Sequence, residues 1–382
     1  MPRIGILIVA AGKGERMGGT LPKQYASLLG QPMLRRSVQA FAEVPDATIQ
    51  VMIGAGQDEL YRDAMAGLDL APAATGGATR QESVLRGLEV LAVKAPDFVL
   101  IHDAARPLVS RALIGGVIAA LEAGADAAVP LLPVADTLRK LEDGKWITVP
   151  RSGLLRAQTP QGFRFAAILR AHRDHAAQEV TDDMALAELA GLKIVAVAGE
   201  ETNMKVTNPE DFAVAEGLLS ARLGEIRTGS GYDVHRFVPG DHVWLCGLKI
   251  PHDHALEGHS DADAGLHALT DAILGAVGEG DIGMHFPPTD ERWRGAPSWK
   301  FLDHAVGLVL RKGGIIVHCD VTIICERPKI GPHREAMRAK IAEILRLDVS
   351  RVSVKATTTE GLGFTGRREG LAAQALVTVK LP

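Results

Sequence analysis

The sequence predicts two α/β domains in one chain of 382 residues, a doubly wound sheet followed by a smaller α+β domain. The chain is longer than one hydrophobic core usually serves, so two domains are expected. In residues 1–223, apolar runs of strand length alternate with amphipathic helical patterns, the order typical of a doubly wound sheet. Residues 224–382 repeat this alternation on a smaller scale.

The elements of the first domain follow from hydrophobic periodicity. Residues 4–10 form a continuous apolar run, the pattern of a buried parallel strand. Similar runs predict strands at 49–53, 98–101, 127–132 and 194–197. Helical patterns lie between and after them, at 34–42, 81–91, 111–122, 165–175, 182–189 and 209–223.

The first strand runs directly into the loop AAGKGERMGG. Glycines let the backbone approach a ligand closely and turn its N–H groups toward an anion, and Lys13, Arg16 and Lys23 add fixed positive charge. The loop has neither the ending of a P-loop nor a GxGxxG pattern. Asp103 and Arg106 directly follow the strand at 98–101, where doubly wound sheets bind ligands. An N-cap of a helix is the alternative for Asp103.

The second domain begins near Gly224, after a short join, GEIRTGSG. The join is no flexible tether, so we expect closely coupled domains. Helices are predicted at 262–277, 298–311 and 332–345. Strands are predicted near 243–250, 315–324, 352–355 and 371–379.

A metal site is predicted from three side chains of this domain. Asp233 and His235 are two residues apart, so on a strand they leave the same face, and His267 lies in a helical pattern. Three such ligands with a fourth position open suit tetrahedral Zn²⁺. Asp-x-His alone is more often not a metal site. Ten of the thirteen histidines, however, lie after residue 230, and such crowding in an apolar region points to a functional site.

Composition excludes several classes of protein. With 47% hydrophobic and 23% charged residues the chain is typical of globular proteins, and a net charge of −4 gives no electrostatic footprint for nucleic acid or a membrane surface. Cys246, Cys319 and Cys325 lie in apolar, strand-like runs and are expected to be buried thiols in a reducing compartment. The N-terminus resembles neither a signal peptide nor a spanning helix, so a cytoplasmic protein is expected.

Motifs of the second domain occur in a consistent order: GYDVHRF, GHSDADAGLHALTDAILGA, GDIGMHFPPTD, DVTII, ERPKIGPH and KATTTEGLGFTGRREG. Together they resemble 2-C-methyl-D-erythritol 2,4-cyclodiphosphate synthase. The resemblance implies an α+β domain that forms a trimer with active sites between subunits. It also implies cyclisation of a CDP-linked methylerythritol phosphate with release of CMP.

By this resemblance Asp233, His235 and His267 are zinc ligands, and His259 and Thr358 stabilise the transition state. The implied substrate-binding residues are Asp233, Val234, His235, Ser260, Asp281, Ile282, Gly283, Phe286, Asp290, Pro328, Lys329, Thr357, Thr359, Glu360, Phe364 and Arg367. Among them Glu360 would hold a second divalent ion on the diphosphate. Residues 325–331, centred on Pro328 and Lys329, would form the loop that contacts the cytidine and diphosphate. Pro288 stands where that family commonly has an acidic residue.

Residues 2–222 resemble 2-C-methyl-D-erythritol 4-phosphate cytidylyltransferase, a doubly wound, Rossmann-like nucleotidyltransferase. The motifs are AAGKGERMG, PKQY, GGATRQESV, HDAARP, VADTLRK, RSGLLRAQTPQGF, TDDMALAE and NMKVTNPED. The implied reaction joins CTP, carrying Mg²⁺ or Mn²⁺, to methylerythritol phosphate and releases pyrophosphate.

By this second resemblance Arg16 and Lys23 stabilise charge on the α-phosphate, and Arg151 and Lys205 position the methylerythritol phosphate. The implied nucleotide- and substrate-binding residues are Ala10, Ala11, Gly12, Gly14, Gly77, Ser83, Asp103, Arg106 and Thr137. Ala78 stands where this family often has an acidic residue.

The two resemblances imply a bifunctional enzyme of isoprenoid precursor synthesis. A kinase acts between its two steps, and because the sequence has no kinase signature, that kinase is expected to be a separate protein. Whether a trimer or a hexamer forms stays open. A zinc hydrolase fused to a sugar-nucleotide transferase is the alternative, disfavoured because no HExxH-like base is present. A zinc- or nucleotide-sensing binding module is a third hypothesis.

Overall fold

The computed structural model describes residues 2–12, 21–287 and 289–382. It divides into two compact units, Met1–Leu218 and Leu219–Pro382, beside the predicted boundary at 223/224. Each unit is described by itself. Within the described ranges, no helix combines the length and apolar character that a membrane span requires.

The first unit alternates strands and helices along most of its length. Its strands are β1 Ile4–Ala10, β2 Ser27–Leu28, β3 Gln31–Pro32, β4 Ala47–Ile53, β5 Ala74–Thr75, β6 Phe98–Asp103, β7 Ala127–Pro133, β8 Leu138–Glu142, β9 Lys145–Val149, β10 Leu155–Ala157, β11 Gln161–Arg164 and β12 Ile194–Ala198. Its helices are α1 Met33–Phe41, α2 Asp58–Ala64, α3 Arg80–Ala92, α4 Arg111–Glu122, α5 Phe165–Asp174 and α6 Asp183–Leu189, and α7 Pro209–Arg222 spans the division between the units.

An eight-stranded sheet in the order β10-β7-β11-β6-β1-β4-β5, with β12 beside β7, forms the centre of this unit. Strand β1 is parallel to both neighbours, β4 and β6. Successive side chains of β1 enter two separate cores: Ile6 and Ile8 pack with residues of α1, α2 and α4, and Leu7 packs with residues of α3, α5 and α6. The predicted doubly wound sheet is therefore confirmed, with every predicted strand and helix of this unit present.

Several short elements of the first unit were not predicted, among them α2, β2, β3, β5 and β10, and two further features change the description of the sheet. Strand β11 is antiparallel to both β6 and β7, which makes the sheet mixed. Strands β8 and β9 form a separate, exposed hairpin. The sequence shows neither because both segments are short and β8 and β9 have no buried face.

The second unit contains strands β13 Glu225–Pro239, β14 His242–Leu245, β15 Leu248–Pro251, β16 His254–Leu256, β17 Ile315–Ile324, β18 Val352–Thr357 and β19 Gly370–Leu381. Its helices are α8 Ala264–Val277, α9 Ile282–His285, α10 Trp299–Arg311, α11 Arg334–Leu345 and α12 Gly363–Gly366. The main sheet has the order β16-β13-β19-β17-β18. One face of the sheet packs with α8, α10 and α11 in a single core, as the predicted α+β class requires.

Two predictions for this unit are wrong. The predicted strand at 243–250 is a hairpin, because Cys246 and Gly247 have positive φ angles of 52° and 81° and turn the chain between β14 and β15. Cys246 therefore lies in a turn, and Cys325 lies directly after the end of β17, so neither of these two cysteines is in a strand. The predicted join at 224–231 is mostly strand, since Glu225 already pairs with Leu381 of β19. All three cysteines are buried and free, as predicted.

Strand β13 and helix α8 lie in backbone contact because two glycines face the helix. A Cβ atom at Gly231 would lie 2.0 Å from the Ala268 carbonyl oxygen, and one at Gly229 would lie 2.0 Å from the Ala272 carbonyl oxygen. No side chain fits at such distances, so this approach fixes the spacing between the strand and the helix.

Gly231→Ala should destabilise the second unit by about 3 kcal/mol, the upper end of the usual cost of overpacking, because the clash is with backbone. Chemical denaturation at fixed protein concentration measures the change. Gly275→Ala is the matched control: it lies in α8 with open space around it, and should stabilise by up to about 1 kcal/mol through helix propensity. Equal stability of Gly231→Ala and wild type would contradict the close approach.

Candidate active sites

The first site lies at the carboxyl edge of the large sheet, where β1 and β6 end side by side with Val9 opposite Asp103. The buried Gln24 side chain donates from Nε2 to the Ala10 oxygen at 2.8 Å and to the Gly12 oxygen at 3.2 Å. It thereby fixes the start of the predicted glycine loop. Gly14 and Arg16, also predicted for this site, lie outside the described residues, as do Lys13 and Pro288.

The predicted nucleotide residues of the first unit come together. A Cβ atom at Gly76 would lie 2.4 Å from that of Ala11, so the glycine loop and the segment between β5 and α3 are in contact. The Gly77 N–H donates to the buried Ser83 hydroxyl at 2.9 Å. Glu82 accepts the Ala78 N–H at 2.7 Å, so a carboxylate lies beside the position where Ala78 has none.

Asp103 connects two cations at the end of β6. Its Oδ1 lies 3.1 Å from Arg80 Nε, and its Oδ2 accepts from Lys205 Nζ at 2.7 Å. Burial raises the pKa of the Asp103 carboxyl, but Arg80 and Lys205 outweigh it and hold the pKa well below its ordinary value. The N-cap alternative for Asp103 is wrong, because the next helix begins at Arg111 and is capped by Ser110.

Backbone carbonyl groups hold two further predicted cations near Asp103. Lys23 Nζ donates to the Val206 oxygen at 2.9 Å, and the Val206 N–H donates to the Ala105 oxygen at 2.8 Å. Arg106 donates from its guanidinium to the Asn203 oxygen at 2.7 Å. Segments 103–106 and 203–206 therefore bring Lys23, Arg106 and Lys205 to one edge of the sheet.

The structure does not bring every predicted residue to this cluster. Thr137 and Arg151 lie on exposed segments beside the β8–β9 hairpin, and Arg151 donates to the Ala135 oxygen of the same segment. In the described part of the chain, no hydrogen bond or ion pair joins either side chain to Asp103 or Lys205.

The second site is formed by β13 and α8. His235 Nε2 lies 2.9 Å and His267 Nδ1 lies 3.1 Å from Asp233 Oδ2, and the two ring nitrogens are 3.2 Å apart. The predicted metal ligands are therefore brought together. A tetrahedral ion with bonds of about 2.0–2.1 Å would space its ligands by about 3.3 Å, so the group fits Zn²⁺ with little movement.

Hydrogen bonds to the outer nitrogen of each imidazole turn the other nitrogen, His235 Nε2 or His267 Nδ1, toward Asp233. His235 Nδ1 donates to the Glu257 carbonyl oxygen at 2.7 Å, which leaves the Nε2 lone pair facing Asp233. Ser298 donates its hydroxyl hydrogen to Asp261, so at 2.8 Å it accepts from His267 Nε2 and leaves the Nδ1 lone pair facing inward. Converging lone pairs beside a carboxylate require a proton or a metal ion between them.

The pKa shifts of Asp233 and His235 also indicate that a positive charge is favoured between the three side chains. Burial raises the pKa of the Asp233 carboxyl, but the hydrogen bonds that His235 and His267 donate when they are protonated outweigh burial, and the pKa lies below its ordinary value. Burial lowers the pKa of His235, and the bonded Asp233 carboxylate reverses the effect and raises it. The pocket thus favours a positive charge at the point where the three side chains meet.

The predicted substrate residues lie on several segments of the second unit, and one of them, Ser260, contacts a metal ligand. Ser260 lies 3.2 Å from His267 Nε2, and the His259 carbonyl accepts the Gly295 N–H at 2.6 Å. Asp281 caps α9 by accepting the Met284 N–H at 2.9 Å, which orders Ile282 and Gly283. The remaining positions are Val234, exposed on the opposite face of β13; Phe286, packed 4.5 Å from Phe301 between ring centroids; and Asp290, paired with Arg292.

The loop after β18 collects another set of predicted residues. Thr358 donates to Glu360 at 2.5 Å, and Thr359 donates to the Leu362 oxygen at 2.6 Å. Glu326, which sequence reasoning did not single out, accepts the Thr359 N–H at 3.1 Å and so joins this loop to the one before Pro328. The other positions are Thr357, at the end of β18; Lys329, exposed; Phe364, in α12; and Arg367, paired with Glu369.

A second group of potential ligands, His252, Asp253 and His254, lies on three consecutive residues. His252 Nδ1 already accepts the His254 N–H at 3.0 Å, and the Asp253 side chain is 82% exposed. His252 is therefore already used in a hydrogen bond within its own bend. In Asp233, His235 and His267, by contrast, the potential ligand atoms converge on one point.

Sequence reasoning missed four side chains that organise the sites: Gln24, Arg80, Ser298 and Glu326. Each lies in or beside a quoted motif or predicted helix, but its partner is distant in the chain. Arg80, for example, is 23 residues from Asp103, and only the fold shows that the two meet.

Comparison with known proteins covers both units. The family model for 2-C-methyl-D-erythritol 4-phosphate cytidylyltransferase matches residues 4–221, and the YgbB family model matches residues 226–380. A protein described as bifunctional enzyme IspD/IspF from Paramagnetospirillum magneticum is 56% identical over 385 residues, covering 100% of both chains. One of the same description from Rhodopseudomonas palustris is 55% identical, covering 100% of this chain and 97% of the relative.

A solved structure of the bifunctional IspDF from Campylobacter jejuni is 34% identical and covers 100% of this chain and 99% of that chain, with a TM-score of 0.48. The family matches and the full-length relatives do not favour the hydrolase alternative. The chain therefore belongs to the bifunctional IspD/IspF enzymes of isoprenoid biosynthesis, which combine methylerythritol phosphate cytidylyltransferase and methylerythritol cyclodiphosphate synthase activities.

Proposed function

We propose that residues 1–223 form the cytidylyltransferase and residues 224–382 the cyclodiphosphate synthase, each with its own site. The observation that carries the assignment is the separation of two clusters: cations around Asp103 in the first unit, and a carboxylate with two imidazoles in the second. Phosphate transfer depends mainly on alignment and charge neutralisation, which both clusters can supply.

In the first reaction, a phosphate oxygen of methylerythritol 4-phosphate attacks the α-phosphorus of CTP, and the bond to pyrophosphate breaks. Lys23 and Arg16 would stabilise the charge that gathers on the α-phosphate. Lys205 and Arg151 would hold the incoming phosphate, and Mg²⁺ or Mn²⁺ would accompany CTP. The bond from Lys23 to the Val206 oxygen supports this arrangement, because it fixes the Lys23 ammonium beside the segment that carries Lys205.

In the second reaction, the 2-phosphate of the substrate attacks the β-phosphorus of its own CDP group, and CMP leaves. Asp233, His235 and His267 would hold zinc, or another divalent ion, which supplies a Lewis acid to the phosphate oxygens. Ser298 and Glu257 keep the two imidazoles turned toward it. Glu360 would hold Mg²⁺ or Mn²⁺ on the diphosphate, and His259 and Thr358 would donate hydrogen bonds to the transition state.

The second unit is proposed to assemble as a trimer, and a hexamer is the larger alternative. Its outer sheet face supports self-association: Ile226, Tyr232, Val234 and Leu376 are all more than 40% exposed on β13 and β19. A separate kinase would supply the second substrate. A cytoplasmic location is supported by three free, buried thiols.

Lys23→Ala should lower the turnover of cytidylyl transfer by about 10²–10³-fold, the range for removing one donor to a developing charge. Pyrophosphate release from CTP and methylerythritol phosphate measures it. Cyclisation should be unchanged, and Lys94→Ala, an exposed lysine of the same unit, should behave as wild type. Near-normal transfer by Lys23→Ala would show that the assignment of this residue is wrong.

His267→Ala should abolish cyclisation and remove the bound metal ion, while cytidylyl transfer continues. Metal analysis of the purified variant and both activity assays measure this. His254→Ala removes a histidine of the other ligand group and should keep both the metal and the activity. Loss of both activities in His267→Ala would instead indicate a folding defect, and retained cyclisation would refute the proposed role.

Ser298→Ala should weaken metal binding by about 10–100-fold, the usual effect of losing a hydrogen bond to a ligating histidine. A competition titration against a chelator measures the affinity. Ser350→Ala, at an exposed 3₁₀ turn capped by Asp348, should leave the affinity unchanged. Unchanged affinity in Ser298→Ala would contradict the inferred role of Ser298 in orienting His267.

A further inference from the structure

A continuous series of ionisable side chains runs from the interior of the first unit to its site. His172 Nε2 lies 3.1 Å from Asp183 Oδ1, and Arg80 lies 2.8 Å from Asp183 Oδ2. Arg80 Nε then lies 3.1 Å from Asp103 Oδ1, and Asp103 Oδ2 accepts from Lys205 at 2.7 Å. Arg80 is the only one of these groups that contacts both carboxylates, as far as the described residues show.

The inner part of this series is held rigidly. The side chains of His172 and Asp183 are 0% and 1% exposed, and Arg80 begins α3 directly after its N-cap, Thr79. The carboxylates of Asp103 and Asp183 lie on different elements and both form ion pairs with the guanidinium, which limits its freedom to turn. Arg80 therefore presents a fixed positive charge to the inner oxygen of Asp103.

The positive charge of Arg80 determines how strongly the Asp103 carboxylate attracts Lys205. With Arg80 present, the Asp103 carboxylate is shared between two cations, one on each oxygen. Without Arg80, Lys205 alone would balance the carboxylate and would be drawn to both oxygens. The Lys205 side chain is 44% exposed, so in the shared arrangement it keeps a free charge for an anion.

We propose that Arg80 is a positioning residue for cytidylyl transfer, which keeps Lys205 available to the phosphate of the incoming sugar alcohol by balancing Asp103. The inference rests on the proposed function of Lys205. It assigns to Arg80 an effect on binding of the phosphorylated acceptor, exerted through Asp103 and without contact between Arg80 and that substrate.

Arg80→Gln should raise the KM for methylerythritol phosphate by about tenfold, with a smaller change in kcat, because the phosphate is held less well while the attack geometry stays. Arg80→Lys, which keeps the charge but reaches one carboxylate at a time, should restore part of the loss. Cyclisation by the same protein should be unchanged, because its proposed site lies in the second unit, and chemical denaturation reports on the folding of the first unit. Arg173→Gln removes an exposed ion pair with Glu89 on α3. This variant should leave the KM values for methylerythritol phosphate and for CTP unchanged.

A double-mutant cycle that combines Arg80→Gln with Lys205→Ala distinguishes a positioning role of Arg80 from a general contribution to stability. Because Arg80 acts through Lys205, Arg80→Gln should add no further rise in KM in the Lys205→Ala background. If Arg80→Gln folds poorly, the double variant Arg80→Gln/Asp183→Asn removes the buried carboxylate as well and should show the same rise in KM. An unchanged KM, or an equal rise with and without Lys205, would overturn the inference. Absent transfer in wild type, or full transfer in Lys205→Ala, would instead refute the proposed function.

Discussion

The second site depends on the backbone contact between β13 and α8. Gly231 faces the Ala268 carbonyl of α8, and the adjacent residue on the helix is His267. Two residues beyond Gly231 on the same face of β13 is Asp233, and two beyond that is His235. The contact that excludes a Cβ atom therefore also sets the distance between the strand ligands and the helix ligand. A side chain at Gly231 would push apart the three groups that must share one ion.

Both sites use buried charged or polar side chains to hold the less buried reactive side chains in place. In the first unit, Asp103 is fixed by Arg80 on its inner side and presents Lys205 on its outer side. In the second unit, Asp261 fixes Ser298, and Ser298 orients His267. Each site thus has a rigid inner layer, so its reactive groups need little reorganisation when a highly charged phosphate substrate arrives.

The sequence could predict what depends on local pattern. The helices and the parallel strands follow from apolar periodicity, and Asp233 and His235 follow from the alternation of side chains on a strand. What it could not predict depends on distant partners: the antiparallel insertion of β11, the pairing of Glu225 with Leu381, and the meeting of Ser298 with Asp261, 37 residues apart. The N-cap hypothesis for Asp103 failed for a local reason, since the next helix begins at Arg111 and Ser110 caps it. The contacts that Asp103 makes with Arg80 and Lys205 do depend on distant partners.

Anomalous diffraction at the zinc absorption edge from crystals of the full chain tests the central claim most directly. We expect one strong peak within bonding distance of Asp233 Oδ2, His235 Nε2 and His267 Nδ1, from an ion whose fourth position is taken by water or a substrate phosphate. Two results would contradict the claim if the crystallised protein is active in cyclisation: no peak at this site, or a peak only at His252, Asp253 and His254.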